Sequence, residues 1–109
     1  MIDPVKISHV TEKGYLMNGA YYRHDDETLY EILLKTKEAL RAYELVYHHV
    51  FDEVCNMHDM VLLKISQGNC TDANIAAVEG AEKIRADLFE TIHHLQKILK
   101  QAEAAAMYR

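Results

Sequence analysis

Glu44-x-x-x-His48, His49-x-x-x-Glu53 and Cys55-x-x-His58 crowd into one short stretch, YELVYHHVFDEVCNMHD at residues 43–59. Each spacing puts two donor side chains on one stripe of a helix, which is what zinc or a carboxylate-bridged metal asks of a helical element. Further along, Glu90-x-x-His93 has the Glu-x-x-His spacing found in di-iron helical bundles. The metal-ligand candidates are Glu44, His48, Cys55 and His58. Cys55 with His58 is formally a thiol beside a base, yet no third orienting group or oxyanion donor accompanies the pair. The chain also lacks a Gly-rich phosphate loop, a Gly-x-Ser-x-Gly elbow and a Cys-x-x-Cys pair. No catalytic residue and no cofactor are assigned, and the expectation is a protein that is not an enzyme.

The element that must carry these groups is a long helix. From Asp25 to Gln67 there is neither Gly nor Pro, and Leu33, Thr36, Leu40, Tyr43, Tyr47, Val50, Val54, Met57 and Val61 recur at spacings of three and four. Asp25 or Asp26 can cap its start, and Thr28-x-x-Glu31 resembles a capping box. QGNCTD at 67–72 reads as a stop and restart, with Gly68 for the left-handed C′ position and Thr71 or Asp72 capping the next helix. A second long helix is predicted over 72–107, its apolar face running Val78, Ala81, Ile84, Leu88, Ile92, Leu95, Leu99 and Ala102. A loop this short makes the two helices antiparallel neighbours.

On a wheel of 100° per residue, His58 lies about 40° from the centre of the first helix's seam, Glu44 about 80°, Cys55 about 100°, His48 about 120° and His49 about 140°. His58 is thus the candidate for burial, and the others flank the seam. On the second helix Glu90, His93 and His94 lie about 120° to 160° from the apolar face and are expected in solvent. A flank of solvated charge is therefore the leading reading of the His-rich stretch, with a metal site as the alternative.

Residues 1–24 mix two signals. Asp3-Pro4 with Gly14 downstream has the punctuation of a short helix, whereas Val5, Ile7, Val10 and Thr11 are β-branched and favour a strand. Asn18-Gly19 is a turn signal. The expected fold is all-α: a long antiparallel helical hairpin, 25–67 and 72–107, with a short N-terminal helix or arm over 1–24, completing a three-helix bundle or a dimeric four-helix bundle. With 109 residues, half of them apolar, a single helical domain over 1–109 is expected.

Seventeen acidic against twelve basic residues leave a net charge of −5, which disfavours nucleic acid and anionic membranes as partners. The N-terminal residues carry charges where a signal peptide needs an apolar run, and no run approaches the ~20 apolar residues that span a bilayer. A cytoplasmic location is expected. Cys55 and Cys70 fall too far apart along the hairpin to form a disulfide with each other.

The width of the apolar stripe carries the functional expectation. Beside the seam, Ile32, Ala39 and Val46 widen one edge of the first helix, while Phe51, His58, Leu62 and Ile65 widen the other edge further along. One antiparallel partner helix covers only one stripe, so the remainder is expected to meet the N-terminal segment, another protein or a second copy in a homodimer. Seven tyrosines and five methionines without a tryptophan suit a surface that is wet alone and dry when bound. The expected role is a non-enzymatic protein-protein interaction module, an adaptor, chaperone-like or regulatory protein, binding through Tyr43, Tyr47, Phe51, Leu62, Ile65, Tyr21 and Tyr22. A small metal-binding bundle is the alternative. Protonating all seven histidines would shift the net charge upward from −5, so association is expected to respond to mild acid.

Overall fold

The computed structural model describes residues 2–108. Three short strands come first, β1 (Ile7–Val10), β2 (Gly14–Met17) and β3 (Ala20–Arg23), followed by two long helices, α1 (Asp26–Ser66) and α2 (Asp72–Met107). The chain divides into two compact units. One contains the residues up to Tyr43 and those from Thr91 onward; the other is Glu44–Glu90.

The expectation of an all-α fold is overturned by the N-terminal segment. It is neither a helix nor an arm but a three-stranded antiparallel sheet in the order β1-β2-β3, so an all-α bundle, three-helix or dimeric four-helix, does not describe the whole chain, while the helical hairpin itself is compatible with the structure. Asp3 and Pro4 build a turn instead of a helix start: Asp3 Oδ1 accepts Val5 N at 3.0 Å, and Asp3 O accepts Lys6 N at 3.1 Å. Gly14 opens β2 instead of ending a helix. A Cβ there would lie 2.2 Å from Tyr22 O and 2.7 Å from Tyr21 Cζ, so the neighbouring strand can approach only a glycine. Asn18 and Gly19 close the β2–β3 hairpin with φ of 54° and 80°, the pair of positive values that a two-residue turn needs to follow the strands' twist.

In this first unit the sheet packs on the first part of α1 and the last part of α2. Ile7, Val10, Tyr15, Leu29, Ile32, Ile98, Ala102 and Ala105 form one buried cluster. β1 is an edge strand, and α2 side chains bond two of its backbone groups. Val10 N donates to Gln101 Oε1 at 2.7 Å, and His94 Nε2 donates to Ile7 O at 2.6 Å. Covering an edge in this way denies it to another strand. His94 therefore corrects the solvent-facing expectation, and because a carbonyl only accepts, the ring must carry a proton on Nε2. His24, buried just after β3, likewise donates from Nε2 to Thr11 O at 2.7 Å.

Each helix has a chemical start. Asp25 Oδ1 accepts both the backbone N–H and the hydroxyl of Thr28 at 2.7 Å. Thr71 and Asn74 cap α2 reciprocally, Asn74 N donating to Thr71 Oγ1 at 3.3 Å and Thr71 N to Asn74 Oδ1 at 3.1 Å. Between them Gly68 takes a φ of 71° and α1 ends in a Schellman motif, with Asn69 N bonding Lys64 O at 2.8 Å and Gly68 N bonding Ile65 O at 3.1 Å. This turn makes the second unit, Glu44–Glu90, an antiparallel helical hairpin. Among the described residues no helix is long and apolar enough to cross a membrane.

Candidate interaction surface

Within the Glu44–Glu90 unit two helices have only each other to pack against, and the result is a thin core. The only buried side chains in that unit are Val54 and Val78. The rest of the α1 seam in this unit, Tyr47, Val50, Met57 and Val61, is half-buried. Outside the seam, apolar side chains stand in the open, from 43% exposure at Phe51 to 73% at Leu45.

One side of the hairpin is organised around Tyr47. Its ring lies 6.1 Å from Phe51 on the same helix and 6.1 Å from Phe89 on α2. Arg85 donates from Nη1 to the Tyr47 hydroxyl at 3.4 Å and from Nε to Glu82 Oε2 at 2.8 Å. The other carboxylate oxygen of Glu82 accepts from His58 Nε2 at 2.8 Å. A polar line Tyr47–Arg85–Glu82–His58 thus crosses from one helix to the other and back. Arg85 chiefly, and His58 after it, hold the Glu82 carboxyl below its ordinary value, while Glu82 and then Tyr47 raise Arg85. All four groups are partly open to water, so the line orients the two helices more than it holds them together.

The sequence-predicted binding residues separate between the two units. Tyr47, Phe51, Leu62 and Ile65 belong to the hairpin, the last three of them exposed. Tyr21 and Tyr22 are exposed on β3 of the other unit, where Tyr22 stacks on Tyr15 at 5.4 Å. Tyr43 is half-buried at that unit's boundary.

The proposed metal ligands do not converge. His58, the candidate for burial, is exposed and engaged by Glu82; Cys55 and His48 are exposed, Glu44 is half-buried, and His49 pairs with Glu53 at 3.2 Å. Among the described residues no group of three or more His, Cys, Asp or Glu side chains is disposed to hold a metal ion. Both cysteines are free thiols.

Phe89, Glu82, Arg85 and Ile75 were missed by sequence reasoning. The α2 face read from the sequence included Ile84, which is 56% exposed, while Arg85 beside it is the half-buried residue. The signal that could have found three of them is a heptad, Ile75, Glu82, Phe89, parallel to Phe51, His58, Ile65 on α1; Arg85 lies outside it. No protein-family model matches this chain, and neither does any curated protein or solved structure.

Proposed function

We propose that this protein works by binding, as a protein-protein interaction module whose contact surface is the Glu44–Glu90 hairpin. The observation that carries the reading is the inverted burial of that unit: Val54 and Val78 are covered, while Leu45, Phe51, Leu62, Ile65, Ile84 and Phe89 are in the open. Exposed apolar surface on this scale marks an interaction site when it is contiguous, and of these residues Phe51, Leu62, Ile65 and Phe89 line one side of a hairpin already braced by its own polar line, with Leu45 and Ile84 lying away from it. The net charge of −5 favours a protein partner over nucleic acid or an anionic bilayer. The test is to replace Phe51 and Leu62 with Asp, together, and compare solution mass and co-purifying proteins with the parent chain. Loss of an oligomer or of a specific bound protein, with helicity retained, supports the proposal. A monomer that binds nothing, and that the substitutions leave unchanged, overturns it.

A further inference from the structure

The hairpin carries a register as well as an apolar surface. Phe51, His58 and Ile65 are spaced seven residues apart on α1, and Ile75, Glu82 and Phe89 are spaced seven apart on α2. The two series are level with each other. The 2.8 Å bond from His58 to Glu82 fixes the middle rung, and Tyr47, which touches both Phe51 and Phe89, ties the aromatic rung on the same side. One heptad beyond the middle, about 10.5 Å along the helix, Ile65 and Ile75 follow on the same two stripes. The face therefore consists of an aromatic rung, a polar rung and an isoleucine rung, with exposures of 43% and 54% for the phenylalanines and 56% and 44% for the isoleucines. Heptad spacing is the spacing at which side chains of one helix fit the gaps of another.

Resting on the interaction reading above, we infer that the occupant of this face is a second copy of the same hairpin, packed face to face about a two-fold axis parallel to the helices. That axis sets α1 of one copy opposite α2 of the other, so that all neighbouring helices are antiparallel and each rung meets its own kind. Phe51 faces Phe89 of the second copy and Ile65 faces Ile75. In the middle layer His58 faces the second copy's Glu82, so each carboxylate sits between two imidazoles instead of against another carboxylate. A polar layer between two apolar ones fixes register, because any slip would set charge against apolar side chains.

The area is sufficient. Phe51, Leu62, Ile65, Ile75 and Phe89, at roughly 200 Å² each and about half exposed, offer on the order of 500 Å² of apolar surface. A standard interface takes about 800 Å² from each partner, and in homodimers about 65% of it is apolar, which is close to the same figure.

Sedimentation equilibrium of the full untagged chain at neutral pH tests this, alongside the double variants Ile65→Asp/Ile75→Asp and Leu45→Asp/Leu63→Asp, the latter pair lying on the far side of α1. The parent chain is expected at twice its 12.6 kDa mass. Ile65→Asp/Ile75→Asp is expected to halve that mass with helical circular dichroism retained, and Leu45→Asp/Leu63→Asp to leave it unchanged. Ile65→Cys and Ile75→Cys chains, each freed of Cys55 and Cys70, should join in a mixed disulfide when combined. A dimer broken by the Leu45 and Leu63 changes but not by the isoleucine changes overturns the inference, as does joining of Phe51→Cys to Ile65→Cys. A monomeric parent that still binds another protein through Phe51 and Leu62 overturns the second copy alone and leaves the interaction module standing.

Discussion

His58 on α1 and Glu82 on α2 close the hairpin with a 2.8 Å bond between Nε2 and Oε1. Because Arg85 takes the other oxygen of Glu82, the carboxylate is bonded from both helices, and its charged form is favoured in the folded chain.

A folded carboxyl with a lowered pKa contributes stability that is fully present above the unfolded value, 4.5, and is lost as pH falls through the folded one. Glu82→Gln is therefore expected to melt below the parent at neutral pH, with the gap closing under about pH 4. Melting curves of both chains from pH 3 to 7, followed at a helical wavelength, check this. A gap independent of pH would mean that the carboxylate's charge plays no part.

Tyr15 gives the opposite sign. Burial chiefly, then Tyr22 and the carboxylates of Glu31 and Asp25, raise its phenol above the ordinary 10.0. Stability from the neutral phenol is fully present below pH 10 and is lost as pH rises through the higher folded value. Absorbance titration is expected to show a late tyrosine that disappears in Tyr15→Phe, with the sheet-bearing unit losing structure as it ionises.

Two glycines should respond in opposite directions to alanine. At Gly14 the new methyl would meet Tyr22 O at 2.2 Å, a backbone atom that cannot step aside, and a loss of about 3 kcal/mol is expected. At Gly80, inside α2, nothing lies within 4 Å, and alanine should add about 1 kcal/mol through helix propensity. Urea midpoints of the two variants measure both.

Gln101→Leu removes the acceptor for Val10 N–H while keeping the bulk of the side chain. The cost is expected at about 1–2 kcal/mol, the range for leaving a partly buried donor unpaired. Hydrogen exchange at the Val10 amide should accelerate selectively, whereas exchange in the Glu44–Glu90 hairpin should not change.

These sites differ in how plainly the sequence announced them. The helices were legible because Leu33 to Val61 keep a spacing of three and four without a break, and every one of those residues is buried or half-buried. Gly68 and Thr71 were equally plain, since a left-handed stop and a hydroxyl cap each demand particular residue types. The sheet was hidden by a coincidence of spacing. A register shift between Ile7 and His9 sets the buried pair Ile7 and Val10 three residues apart, a helical interval, where a regular strand would alternate. Asp3-Pro4 reinforced the error by bonding locally as it would at a helix start. The interaction surface was half legible: Phe51, Leu62 and Ile65 stood out beside the α1 seam. Glu82, Arg85 and Phe89 acquire their roles from residues more than twenty positions away, and the periodicity of one helix carries no trace of such partners.

The bond from Val10 to Gln101 spans 91 residues, and it sets a timetable for the nascent chain. A ribosome adding about 5–20 residues per second emits β1 on the order of ten seconds before the glutamine that covers its edge. Throughout that interval the hairpin segment is being made, while Ile7 and Val10 wait for Ile98, Ala102 and Ala105. Whatever keeps that unfinished edge from pairing with a neighbouring polypeptide must act during translation, before the chain can protect itself.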